Sequence, residues 1–186
     1  MTSREATLAV IDLLETRGVP YMLVGSLSSN AYGIARSTED ADIVVELGSH
    51  SLPDIVRQLG PGFCLDPQLG FETITGTTSH LLRISDIPFT IEFFRLSADP
   101  HDQERFRRRV RVHLADRETV VPTAEDVIVT KLRWAVLGKR NKDADDVRDV
   151  IAVQGDAIDW DYVHRWCDQH GTREKLDEIR KSIPPL

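Results

Sequence analysis

The residues of this chain best suited to chemistry begin with Asp40-Ala41-Asp42. Two carboxylates at i and i+2 on an extended segment point to the same side, and like charges that close repel. A hard cation bound through oxygen offsets the repulsion. Mg²⁺, or Mn²⁺ in its place, fits best, because Mg²⁺ takes one or two protein carboxylates and fills its other positions with phosphate oxygens and water. The EF-hand pattern is missing, since no Gly follows in the loop and no Glu closes it. A DxD pair alone is equally compatible with two solvated loop carboxylates, so the preceding residues decide. Val19 to Val24 reads as a short buried strand running into Gly25-Ser26 and then a short helix. Such a helix start offers backbone N–H groups, a hydroxyl and a positive dipole end to an anion. Arg36, shortly before Asp40, can give a fork of donors to the same phosphates.

A third carboxylate lies in Ile91-Glu92-Phe93. A Glu with apolar strand neighbours either faces a polar cleft or carries a heavy burial cost. Asp86 competes for this role, but it belongs to the turn Asp86-Ile87-Pro88, which favours Glu92. Asp40, Asp42 and Glu92 together can hold two metal ions for an in-line displacement at phosphorus, with Glu92 helping to deprotonate the nucleophile. Lys131 shares a helix face with Val127 and Ala135; its ammonium reaches a cleft, or snorkels to the surface. Asp143 and Asp146 serve either a function or ordinary capping and surface pairing with Lys142 or Arg140.

These side chains need a scaffold, and its elements are legible. Thr2 and Glu5 make a capping box for a helix carrying Ala6, Val10, Leu13 and Leu14, ended by Gly18. A second strand starts at Asp42, and Ser51 opens a helix with Leu52, Ile55, Val56 and Leu59 on one stripe. Period-two patterning then predicts strands at Phe71 to Thr75, Leu81 to Ser85, Thr90 to Phe94 and Val110 to Leu114, with another at Thr119 to Val121. From Pro122 the chain reads as four helices, the first capped by Thr123. The expected fold class is α+β: a mixed β-sheet flanked by helices, followed by a C-terminal helical part. We divide it into a core over residues 1–121 and a helical region over 122–186 packed on that core.

Leu23-Val24-Gly25-Ser26, followed by Tyr32-Gly33-Ile34-Ala35-Arg36-Ser37-Thr38-Glu39-Asp40-Ala41-Asp42-Ile43-Val44, resembles the signature of the polymerase-β-type nucleotidyltransferase superfamily. The AbiEii-like and related minimal nucleotidyltransferases of prokaryotes are the branch it is most similar to. Their pattern is a GG or GS turn, an R-x-T-x-D-x-D segment, a later h-[DE]-h strand, and a helical part with K-L and KD-x-x-D. The last two have counterparts in Lys131-Leu132 and Lys142-Asp143-Ala144-Asp145-Asp146. The resemblance implies that Gly25 and Ser26 hold a triphosphate, with Arg36 and Thr38 of the R-x-T segment beside it. It likewise gives the metals to Asp40 and Asp42 with Glu92 as the base, and the nucleotide phosphates to Lys131. The branch often has Gly at position 26 and Asp at position 92, where this chain has Ser and Glu.

The resemblance implies an NTP-dependent enzyme that moves a nucleoside monophosphate to a hydroxyl of RNA, protein or a small molecule. Members of the branch act in toxin–antitoxin or phage-defence systems, some on tRNA ends, so RNA and a cognate antitoxin or toxin protein are expected partners. A DxD glycosyltransferase would need a larger sugar-nucleotide domain before the motif. A non-catalytic nucleotide- or partner-binding module is the alternative, and the intact carboxylate trio counts against it. A net charge of −7 argues against a general nucleic-acid coat protein. Arg105, Arg107, Arg108, Arg109 and Arg111 are the concentrated positive charge, either a grip for RNA or a solvated surface. No apolar run suits a membrane span and the first residues lack a signal pattern, so the expected location is cytoplasmic. Cys64 and Cys167 have neither zinc-ligand spacing nor a disulfide framework.

Overall fold

The period-two stretches of the chain assemble into one mixed sheet. In the computed structural model, which describes residues 1–114 and 117–184, strand β1 (Tyr21–Val24) pairs antiparallel with β2 (Asp40–Val45). β2 runs parallel to β5 (Thr90–Arg95), which is antiparallel to β4 (Thr77–Ile84), and β4 in turn to β3 (Phe63–Glu72). The spatial order is β1-β2-β5-β4-β3. Alternation along each strand sorts the side chains. Leu23, Ala41, Ile43, Val45, Leu82, Ile91 and Phe93 enter the main core. They meet there the apolar stripe of helix α1 (Ser3–Thr16) and the short α3 (Leu52–Val56). Both bonds of the Thr2–Glu5 capping box are present at the start of α1.

The opposite face of the sheet carries Met22, Val24 and Val44, covered in part by Phe106 of helix α4 (Pro100–Arg108). Asp40 and Asp42 share the parity of Val44, and Glu92 stands in register beside Asp42. One face of the sheet is therefore core, and the other is the floor of a cleft.

The strand expected at Phe71 to Thr75 instead spans Phe63–Glu72, and residues 73–76 form the turn into β4. Asp66-Pro67-Gln68 hid its beginning, since Pro removes a ladder donor and disfavours a strand reading. β3 is an edge strand, where the lost donor is tolerated, and the register slips between Leu65 and Leu69. Strands β6 (Val110–Leu114) and β7 (Arg117–Val121) make a separate hairpin.

Helices α5 (Ala124–Leu137), α6 (Asn141–Gln154), α7 (Trp160–His170) and α8 (Arg173–Ser182) follow. They bury a second apolar cluster including Ile128, Leu132, Val147, Val150, Val163 and Leu176. Residues 185 and 186 of the expected helical region lie outside the described residues. Tyr32, at the end of helix α2 (Gly25–Tyr32), packs against both clusters and donates its hydroxyl to the Pro122 carbonyl at 2.8 Å.

A buried polar knot ties α4, α5 and α7 together. Asp126 is fully buried. It accepts bonds from the Tyr162 hydroxyl at 2.5 Å, the Thr123 hydroxyl at 2.9 Å and Arg108 Nε at 3.3 Å, and His101 Nε2 lies 3.1 Å away. Burial pushes the Asp126 carboxyl up, but the bonds from His101, Tyr162 and Thr123 outweigh it and hold the group below its ordinary value. Replacing Asp126 by Ala strands these donors in the interior. The expected loss is about 3 kcal/mol or more of folding stability, read as a lower denaturant midpoint.

Candidate active site

Gly25 is the tightest point of the cleft. It ends β1 and starts α2 with φ +63°, a backbone region that L side chains avoid. A Cβ placed there would lie 2.0 Å from Asp42 Oδ2. Both constraints require glycine at this position: the turn needs its φ, and the carboxylate of the neighbouring strand needs its empty side. No side chain caps α2, so its first backbone N–H groups have no intrahelical partner. Gly25, Ser26 and Ser28 line the cleft beside Asp40, Asp42 and Glu92.

Asp42 is the most perturbed of these carboxyls. Desolvation raises its pKa first, repulsion from Asp40 and Glu92 adds to it, and Lys131 and Arg140 only partly oppose it, leaving the group pushed up to about 6. Asp40 is held by Thr38, whose hydroxyl lies 2.8 Å from Asp40 Oδ1 and 3.1 Å from its carbonyl oxygen. Thr38, expected to touch the nucleotide, bonds to a carboxylate of the site. Asp86 sits exposed in the turn between β4 and β5 with φ +69° and does not line the cleft.

The donor set fits a hard divalent cation. Three carboxylates converge electrostatically, and a Gly keeps open the space against one of them. Among the described residues no group of three or more His, Cys, Asp or Glu side chains is arranged to hold a metal ion; for Mg²⁺ two suffice, because water and phosphate supply the other ligands. Asp40 and Asp42 would be the ligands.

A file of alternating charges flanks the carboxylates. Arg36 grips Asp146 with two donors, Nε at 3.0 Å and Nη2 at 3.2 Å, and Nη2 also donates to Ser26 Oγ at 2.9 Å. Lys131 Nζ lies 2.7 Å from Asp146 and 2.8 Å from Asp143. Arg140 Nε stands 3.0 Å from the other oxygen of Asp143. Of the surface-pairing option, the Arg140–Asp143 pair is present, but its surface location is corrected: Asp143 and Asp146 are both buried, and Lys131 is buried with them. Their i, i+3 spacing on an amphipathic helix was the available signal. Their partner Arg36, more than a hundred residues away, was not legible.

The arginine run disperses instead of forming one basic patch. Arg105 is buried on Asp102, Arg108 pairs with Asp126 and Glu125, and Arg111 pairs with Glu15. Arg109 stacks on Phe106. Of these residues only Arg105 lines the cleft. Its volume is about 430 Å³. Beyond the carboxylates it is walled by the β3–β4 hairpin with Phe71 and Thr75, and by Thr130 and Trp134 of α5, none of which the motifs marked.

No protein-family description matches the chain, and no curated protein sequence does. Solved structures do. The crystal structure of ANT(2'')-Ia in complex with adenylyl-2''-tobramycin superposes with a TM-score of 0.62 at 17% identity, covering 91% of this chain and 97% of that one. The chain has the nucleotidyltransferase fold. An antigenic nucleotidyltransferase-like protein from Paracoccidioides brasiliensis gives a TM-score of 0.55 at 14% identity over 97% of this chain and 93% of that one. The lincomycin-bound lincosamide antibiotic adenylyltransferase LnuA gives 0.51 at 12% identity over 80% and 96%. Within this fold the carboxylate face, the Gly25 turn, Lys131, Arg140 and Asp143 line one cleft, and Arg36 and Asp146 bond to its lining residues Ser26 and Lys131. No helix among the described residues is long and apolar enough to cross a membrane.

Two consequences are measurable without a substrate. In metal-free protein the raised Asp42 pKa costs stability: the cost is absent below about pH 4, grows as the unfolded chain ionises first, and is complete above about pH 6 at about 3 kcal/mol. Asp42→Asn should therefore melt higher than the parent at pH 7 and converge with it near pH 4, in thermal scans with EDTA. Gly25→Ala meets both the φ penalty and the Asp42 carboxylate, and should lose about 2 kcal/mol or more. Combining it with Asp42→Gly should recover only the steric part.

Proposed function

We propose that this chain is a Mg²⁺-dependent nucleotidyltransferase that moves a nucleoside monophosphate from an NTP to a hydroxyl of a small-molecule acceptor. The observation that carries the reading is the meeting, in one cleft, of three same-face carboxylates with an uncapped helix start and the cations Lys131 and Arg140. In this reading Gly25 and Ser26 hold the triphosphate through backbone N–H groups and the Ser26 hydroxyl, Lys131 faces its charge, and Arg36 orients Ser26. Glu92 takes the proton of the acceptor hydroxyl; the freed oxygen attacks the α-phosphorus, and the bond to pyrophosphate breaks. Mg²⁺ on Asp40 and Asp42 would neutralise phosphate charge and favour the attacking oxygen.

Two observations favour a small acceptor over RNA. The hairpin, α4 and α5 wall the cleft beyond Glu92, and of the arginine run only Arg105 lines that cleft, where it is buried on Asp102. Two structural neighbours hold small molecules, one adenylyl-2''-tobramycin and the other lincomycin. The toxin–antitoxin setting rests on the motif resemblance alone, and a pure binding module has no need of Glu92 beside Asp42.

Calorimetry with each NTP should show binding in Mg²⁺ or Mn²⁺ and none in EDTA; equal affinity in both would remove the metal site. Label from an α-labelled NTP should pass to members of an aminoglycoside and lincosamide panel. It should vanish in Asp40→Asn with Asp42→Asn, which should keep its melting temperature or raise it. Label on total RNA and on no small molecule would transfer the acceptor assignment to RNA.

A further inference from the structure

The five residues Ser26, Arg36, Asp146, Lys131 and Asp143 form an unbroken file from the start of α2 to the second helical layer. Neither carboxylate of this file belongs to the carboxylate face of the sheet. We infer that Asp146 is a positioning residue for nucleotide binding: it holds Lys131, which lines the cleft, and through Arg36 it holds the Ser26 hydroxyl, which lines the cleft too. The inference rests on the nucleotidyl-transfer reading above.

Three features support it. Arg36 sits on the connection between α2 and β2, where residues 34–37 are all exposed, and a guanidinium on such a segment loses its orientation unless something anchors it. Asp146 is that anchor, binding Nε and Nη2 together while Nη2 also reaches Ser26. Second, Lys131 has three ammonium donors, of which Asp143 and Asp146 take two, leaving one for the cleft that Lys131 lines. Third, Asp143 and Asp146 are only 1% and 5% exposed. Withdrawing them to make room for phosphate would strand buried charge, so both keep their cations, although Asp143 reaches the cleft lining. The carboxylates thus act as fixed counter-charges, and nucleotide affinity becomes tied to the packing of α5 and α6 against the sheet.

The test is calorimetric titration of Mg²⁺·NTP into the parent and into Asp146→Asn, Arg36→Ala and the double variant. Asp146→Asn should weaken binding about 10- to 100-fold, the range seen when a ligand residue loses its supporting partner, with KM rising more than kcat falls. The double variant should bind no worse than Arg36→Ala by more than about threefold, because Asp146 acts partly through Arg36. Parental affinity in folded Asp146→Asn, or full additivity of the two losses, would overturn the inference and leave the proposed function standing. Failure of the parent to bind any NTP would overturn the function itself. Should Asp146→Asn not fold, Asp143→Asn gives the Lys131 arm of the same measurement: unchanged affinity there overturns the file, and a loss of about tenfold supports it.

Discussion

The contact between the Gly25 backbone and the Asp42 carboxylate is the constraint from which the rest of this site follows. β1 and β2 are adjacent antiparallel strands with Val24 opposite Asp42, so the turn that ends β1 must pass directly over an acidic side chain. Only a residue without Cβ fits there. Once the turn is in place, the start of α2 faces a carboxylate, and positive dipole and negative charge stand side by side. Alternation along β2 adds Asp40 to the same face, and the parallel pairing with β5 adds Glu92 in register. The outcome is a cluster of like charge that burial makes worse, visible in the upward shift of Asp42. A metal-free protein tolerates this at the expense of stability, as functional sites do.

The remainder of the molecule offsets that cluster with charge drawn from distant parts of the chain. Arg36, Lys131 and Arg140 come from three different elements and meet around Asp143 and Asp146. The second polar knot, on Asp126, does comparable work for the helices without facing the site, and it uses Arg108 to do so. Part of the arginine complement of this acidic protein is thus buried on internal carboxylates, Arg105 on Asp102 among them. Arg133 is another case, reaching from α5 to Asp99 and to the Ile74 carbonyl in the hairpin turn that walls the cleft.

A fold of this kind hosts many acceptors, and fold alone does not choose among them. Beyond Glu92 the cleft is lined by hydroxyl side chains such as Thr75, Ser79 and Thr130 together with Phe71 and Trp134, and under the proposed transfer to a small acceptor these walls would meet both its polar edges and an apolar face.

The local sequence determined the elements and the chemistry of the carboxylates. Capping at Thr2 and Thr123, the alternation that separates Ile43 and Ile91 from Asp42 and Glu92, and the Gly25-Ser26 turn are all short-range, so periodicity and turn chemistry expose them. The β3 strand escaped because Pro67 reads as a breaker unless the strand is known to be an edge, and edge position is a property of the assembled sheet. Thr38 was legible as part of a motif, yet its partner is Asp40, a local bond that motif logic assigned to nucleotide. Tertiary structure alone decided the rest. Arg36 reaches Asp146, Lys131 turns inward to two buried aspartates, and Arg105, Arg108 and Arg111 of the arginine run find separate acidic partners, because most of these pairs join residues whose proximity depends on how helices stack on the sheet. Charge spacing along a chain records how many partners are needed, and packing chooses which they are.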